Sequence, residues 1–313
     1  MKIATRISFS LLIVMLLIMT PARVQESAAS ASTARDKSIQ WRVHLALQLV
    51  KYPNLSGPQV RVILDAISLS TPEFFVAASS ASLKKSEADN ALQSLIQRAQ
   101  RKFPADQTTE LFAMAGDEAE EAHLKLYYDA SSLPLLETKA LFRSASSKNK
   151  SHLWRTHLAL FLATRPELKE SQKEIILAAM SLITPEFFEI RSTDSAWKHK
   201  VREPLRSLEE RIVATFSFAE ATKIFAKLGG VTEFANESVS CTGFVVLKSI
   251  SYEPLNDSNR IEIKDKEEKR KDCDCSTESD YCPLWKMCRP AACTSTQSGC
   301  GTFWAYSCNG SCQ

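Results

Sequence analysis

Apolar residues recur at helical spacing in two separate stretches of this chain. In the first, Trp41, Leu45 and Leu49, with His44 and Gln48 alongside, predict an amphipathic helix that Pro53 stops. Trp41 belongs on its core side and His44 at the border. Ser56 and Pro58 open a second helix, carried by Val60, Ile63, Leu64 and Ile67. Thr71 reads as an N-cap, with Pro72 at the first helical position and Glu73 in the first turn. A longer helix turns Leu92, Leu95, Ile96, Ala99 and Phe103 inward. A short one carries Leu111 and Phe112 and ends near Gly116. The same succession returns with Leu205, Leu208, Ile212, Phe216, Ile224 and Phe225.

The return is literal. Lys37-Ser38 recurs as Lys150-Ser151, and Trp41-Arg42 with His44 as Trp154-Arg155 with His157. Thr71 to Phe75 recurs as Thr184 to Phe188, Phe103 as Phe216, and Gly116 as Gly229, each 113 positions later. Two copies of one helical unit are therefore expected, at 37–116 and 150–230, with a helical connector at 117–149. In the connector, Glu118 to Asp129 and Leu135 to Ser144 read as helices joined through Pro134. One unit alone is too small to close a core, so the copies are expected to pack together.

Beyond the copies the pattern changes. Residues 231–263 hold β-branched and aromatic runs, Phe244 to Leu247, Ile250 to Tyr252 and Ile261 to Ile263, consistent with a small hairpin or sheet. Cys241 precedes them; it is free, paired between chains, or paired into the tail. Residues 264–272 are a charge run without an apolar side chain, expected to be a solvated linker. Lys269, Arg270 and Lys271 offer a cut site to a trypsin-like protease. Leu228-Gly229-Gly230 resembles a double-glycine leader end, but the repeat explains Gly229 as a helix cap.

Composition then divides the chain in two. Eight of the nine cysteines fall in residues 273–313: Cys273, Cys275, Cys282, Cys288, Cys293, Cys300, Cys308 and Cys312. So short a segment, rich in Ser, Thr, Gly and Asn, buries too little apolar surface to hold a fold without cross-links. Four disulfides, each contributing about 2–4 kcal/mol, are the expected solution. Their pairing is open, except that Cys273 and Cys275 stand too close to join each other. Two zinc sites are the competing reading. No C-x₂-C pair occurs, however, and all five histidines lie before residue 200. Phe303 and Trp304 are expected to form a small core under the disulfides; exposed on the surface is the alternative.

The chain begins with a secretion signal. Lys2 and Arg6 precede an apolar run of about 13 residues, with cleavage expected near Ala22. That run is too short to span a bilayer, and no stable membrane span is expected after cleavage. Residues 23–36 read as a flexible mature N-terminus. Export places the cysteines in an oxidising compartment, which favours disulfides.

Two runs in the tail carry a resemblance. Cys273-Asp274-Cys275 through Tyr281-Cys282-Pro283, and Gly299-Cys300-Gly301 through Cys308-Asn309-Gly310, resemble the bacteriocin fulvocin C-related family. The resemblance covers about 40 residues. It implies a disulfide-rich antibacterial peptide at the end of a secreted precursor or carrier. It also implies a partner on the target cell, a receptor or envelope component. The alternative is a secreted binding protein whose cysteine-rich segment stays attached and recognises a partner. From Asp272 onward, four acids against two bases give a net charge of −2, which disfavours attack on anionic membranes by attraction alone.

The rest of the chain offers no reacting constellation. Trp-Arg-x-His recurs, but no nucleophile–base pair, H-E-x-x-H sequence or glycine-rich phosphate loop accompanies it. Glu120, Glu121 and His123 read as a solvated cluster. Thirty-nine bases against thirty-six acids, mixed along the chain, make no stripe for nucleic acid. The expectation is a mainly α protein with a duplicated helical unit and a small disulfide-rich C-terminal segment, no cofactor and no enzymatic activity.

Overall fold

The computed structural model describes residues 26–79, 83–113, 124–125, 127, 135–190, 194–228, 273–279, 281–282 and 286–313. The segment read as a signal peptide, Cys241, the 231–263 segment, the 264–272 run with Lys269 to Lys271, Gly116, Gly229 and the Glu120–His123 cluster lie outside these residues. Most of the connector helix expected from Glu118 lies outside them too.

The helical part follows the chain order α1 (Glu26–Lys51), α2 (Gly57–Leu69), α3 (Pro72–Ser79), α4 (Leu83–Gln100), α5 (Ala105–Leu111) and α6 (Leu135–Ser144). It continues as α7 (Ser147–Thr164), α8 (Glu170–Leu182), α9 (Pro185–Glu189), α10 (Glu203–Thr215) and α11 (Phe218–Ala221). Wider π-helical turns, Lys198–Arg202 and Thr222–Ala226, flank α10 and α11.

Local chemistry explains the boundaries. Gln59 accepts from both the Ser56 N–H and its Oγ at 2.8 Å, opening α2. In α8 the Gln172 side chain likewise accepts from the Lys169 N–H at 3.0 Å. Thr71 and Thr184 cap α3 and α9 through the N–H groups of Phe74 and Phe187, at 3.2 and 3.4 Å. Two boundaries depart from the pattern reading. The segment expected to be flexible before residue 37 is helical from Glu26, because the Ser/Ala-rich run Glu26–Ala34 contains no Gly or Pro and Ala is the best helix former. The long helix of the first copy is uninterrupted. Its counterpart widens to a π turn before Pro204, which stands where the first copy has Ala91 and lacks the N–H a regular helix needs.

The core shows why the first helix of each copy is not amphipathic. Residues 41–50 of α1 and Leu153 to Ala163 of α7 are buried on every side. α1 and α7 pack along each other, and α3, α8 and α9 cover them. Several of their polar groups are met by backbone carbonyls, while Trp41 Nε1, Trp154 Nε1 and Thr156 Oγ1 are buried without a partner. Ser38 Oγ donates to the Ser70 oxygen at 2.5 Å, and Ser151 Oγ to that of Ile183 at 2.6 Å. His44 Nε2 lies 2.9 Å from the Glu110 oxygen, and His157 Nε2 lies 3.3 Å from that of Lys223. Both histidines are thus interior rather than at a border. Arg155 joins the two units: Nη1 donates to Met180 O (2.6 Å) and Nη2 to Leu49 O (2.5 Å), both in last helical turns where carbonyls are free and the dipole is negative.

The tail is held by four disulfides, Cys273–Cys293, Cys275–Cys288, Cys282–Cys312 and Cys300–Cys308, with Cα separations of 5.1 to 5.8 Å. They tie together two short antiparallel ribbons. β1 (Cys288–Pro290) pairs with β4 (Gly310–Cys312), Arg289 facing Ser311. β2 (Thr296–Cys300) pairs with β3 (Tyr306–Cys308), with an irregularity between Thr296 and Cys300. Gly310 permits the first ribbon to close, since a Cβ there would lie 2.6 Å from the Arg289 oxygen.

Candidate functional site

The surface where the tail meets the helices is the candidate site. Between β2 and β3 the chain makes a tight 3₁₀ turn, Thr302–Trp304, opened by Gly301 at φ 71°. A Cβ at Gly301 would fall 2.5 Å from the Tyr306 ring. Phe303 and Trp304 follow with φ of 53° and 54°. Consecutive left-handed residues other than glycine are rare and cost of order 1–3 kcal/mol each. Here the conformation points both rings out of the tail.

They point into the helical part. Phe303 is 0% exposed and Trp304 1%. Phe303 packs edge-on to Trp154 at 5.4 Å and to Phe225 at 6.0 Å. Trp304 packs edge-on to Trp154 at 5.6 Å and to Phe142 of α6 at 5.2 Å. Its Nε1–H donates to the Ala226 carbonyl at 2.8 Å, a free acceptor at a helix end. Lys139 of α6 lies 5.8 Å from the same ring, and burial pulls its pKa below the usual lysine value. Full burial of a large apolar side chain contributes about 1.5–3 kcal/mol, enough to offset the backbone strain. The aromatic pair is therefore not a small core beneath the disulfides. Sulfur fills that space, with Cys273, Cys300 and Cys308 clustered there, and the rings complete the core of the helices.

Beside the rings lies a polar patch built on Glu209 of α10. Its Oε1 accepts from Thr302 Oγ1 at 2.6 Å and Ser279 Oγ at 2.7 Å; its Oε2 accepts from the Tyr306 hydroxyl at 3.1 Å. Ser279 Oγ in turn accepts from the Thr302 N–H at 3.2 Å, and the Tyr281 hydroxyl lies 3.1 Å from Thr302 Oγ1. One helical carboxylate thus gathers three tail hydroxyls. Burial raises the Glu209 pKa, and the three hydroxyl contacts only partly counter it. Burial also lifts the Tyr281 phenol to about 12 and the Tyr306 phenol further. Trp197 meets Tyr306 edge-on at 6.3 Å, and Phe218 stacks on Tyr281 at 6.2 Å. Arg202 pairs with Glu278 at 3.3 Å on the half-exposed rim, where an ion pair contributes little.

Of the residues singled out from sequence, all eight tail cysteines are brought together in the disulfide cluster. The recurring histidines are interior, and His157 is held neutral. Its Nδ1 lies 2.8 Å from the Tyr127 hydroxyl and its Nε2 faces the Lys223 carbonyl, so Nε2 carries the proton. Burial lowers its pKa to about 4. Sequence reasoning missed Glu209, Ser279 and Thr302. One signal was available: Leu92, Leu95, Ile96 and Ala99 correspond to Leu205, Leu208, Glu209 and Ile212. An acid thus replaces an isoleucine on the apolar face of the second copy only.

Fold and site together define a helical protein whose second unit seats a small disulfide-bonded segment, residues 273–313. The chain is similar to the bacteriocin fulvocin-C of Myxococcus fulvus, 55% identical over 40 residues, which span 12% of this chain and 89% of that peptide. Through this segment the chain belongs to the fulvocin C family. No family model matches the chain. No solved structure matches it. Among the described residues no single helix is long and apolar enough to cross a membrane.

Proposed function

We propose that the chain is an exported carrier of an antibacterial peptide. The helical units fold and hold the tail, and the tail is the active part. The observation that carries this reading is the 55% identity of a 40-residue segment to a peptide named as a bacteriocin. The four disulfides support an oxidising, extracytoplasmic destination, in line with the signal peptide read at residues 1–22. Release follows a cut at Lys269 to Lys271, and the tail then acts on a receptor or envelope component of a target cell.

To test this, the chain is cut within residues 264–272 and the tail separated under denaturing, non-reducing conditions. After refolding it is assayed against a panel of bacteria. Growth inhibition by the oxidised tail is expected. An oxidised tail that is inert across the panel, with four bridges shown by mass, would sink the proposal. The burial of the tail's aromatic face favours a second reading, an exported binding protein in which the tail is never detached. Intact-mass analysis of the secreted product separates the two.

A further inference from the structure

The seat for the tail exists in one copy of the repeat and not in the other. In the first unit, Trp41 is covered by its own neighbours: Phe75 edge-on at 5.9 Å, with Phe74 and Phe112 at 6.3 Å. In the second unit, the matching Trp154 is met by Phe303 and Trp304 of the tail. Trp154, Phe225 and Ala226 match Trp41, Phe112 and Ala113, but four other residues that meet the tail differ from their first-unit counterparts. One repeat length before Glu209 stands Ile96; before Trp197, Lys84; before Arg202, Asp89; and before Phe218, Ala105. Each difference supplies a partner on the tail: three hydroxyls for Glu209, Tyr306 for Trp197, Glu278 for Arg202 and Tyr281 for Phe218.

Every one of these contacts is ring packing, a hydrogen bond or an ion pair. None depends on the peptide bonds between Leu228 and Cys273. The tail keeps its shape through its own disulfides, and the second unit through α7, α8 and α10. The buried aromatic anchors, with a polar group satisfied beside them, are the arrangement that dominates protein–protein affinity.

We propose that the second helical unit is a binding site specific for the cysteine-rich tail, so that a cut between residues 264 and 272 leaves the tail bound, with Phe303, Trp304 and Tyr306 covered. Freeing the tail then requires a second event that separates the two faces. The inference rests on the carrier reading only in taking the tail as the cargo.

The test uses the full, oxidised chain with one specific protease site in place of Lys269 to Lys271. After cutting, native size exclusion is run at micromolar concentration and each peak identified by mass. The tail is expected to co-elute with the helical part, and to separate only in denaturant with its disulfides kept. A tail that elutes alone from the native column overturns the proposal. Glu209→Lys is expected to weaken retention by about 100-fold or more, while Ile96→Lys in the first unit leaves it unchanged. If Glu209→Lys does not fold, Glu209→Gln serves, with about tenfold weakening expected. Retention equal to the unaltered chain in a folded Glu209 variant overturns the specificity of the seat. Bacterial growth is assayed separately. A tail that stays bound yet is inert once freed defeats the carrier reading and leaves the binding site standing; one that inhibits growth yet elutes alone does the reverse.

Discussion

The two helical units open with near-identical words and close their cores differently. Around Trp41 the first unit uses Phe74, Phe75 and Phe112, and Phe112 remains partly exposed. Around Trp154 the second unit admits Phe303 and Trp304 from 150 residues away, and Phe225, the counterpart of Phe112, is fully buried. The difference lies in what covers each tryptophan. The scaffold residues, Ser38 with Ser151 and His44 with His157, make the same backbone contacts in both copies. At the surface that meets the tail, Ile96 gives way to Glu209, Lys84 to Trp197, Asp89 to Arg202 and Ala105 to Phe218. A tail with unusual backbone geometry then fits one copy and not the other.

The strongest way to break this comparison is to remove the cross-links. Reduction of the four disulfides should unfold the tail, since each contributes about 2–4 kcal/mol. The second unit should then lose the cover over Trp154 while the first is untouched. Hydrogen exchange should show faster exchange in α7 and α10 than in α2 and α4. Equal changes in both units would contradict the asymmetry.

Next in size are the two tryptophans. Trp154→Ala and Trp41→Ala should each lower stability by about 3–5 kcal/mol, read from denaturant unfolding. Only Trp154→Ala should also expose the tail to proteolysis under native conditions. A Trp41→Ala chain whose tail is cut equally fast would show that the tail senses general loosening rather than its own seat.

Acid gives a third handle. His157 is neutral in the fold, its pKa lowered by burial from 6.5 to about 4. The unfolded chain therefore takes up the proton first. The stability contributed by neutral His157 is complete above about pH 6.5 and lost as pH falls toward 4, by roughly 3 kcal/mol. Thermal melts at a series of pH values should show this decline, and His157→Gln should flatten it.

The smallest effect sharpens the picture most, because its sign is opposite. Burial raises the Glu209 pKa while the tail is docked, and in water it returns to the ordinary carboxylate value. Docking therefore favours the protonated form of this carboxyl. The tail should be held more firmly as pH falls toward that ordinary value and less firmly as pH rises through the docked pKa. Retention of the cut tail, measured on the native column at several pH values, should follow this trend and lose it in Glu209→Gln.

Much of the architecture was open to inspection from residues alone. Pro53, Ser56, Thr71 and Pro72 set helix ends through local backbone chemistry, which acts over a few residues and is therefore written locally. Eight cysteines in a segment poor in apolar side chains required cross-links, whatever their pairing. What pattern could not supply was the destination of side chains whose partners are distant in the chain. Helical periodicity placed His44 and His157 at a border, yet α1 and α7 lie together at the centre, and that depends on how whole helices stack. Phe303 and Trp304 were expected to form a small core under the disulfides; two left-handed residues turned them outward instead, onto Trp154 and Phe142. Glu209 stood among leucines with no local reason, because three hydroxyls that satisfy it arrive from beyond residue 278. Sequence determined the elements and the need for sulfur bridges, since both follow from short-range conformational preference and composition. Only the tertiary structure decided which surface the tail occupies, since burial is shared among groups that meet after the chain has folded.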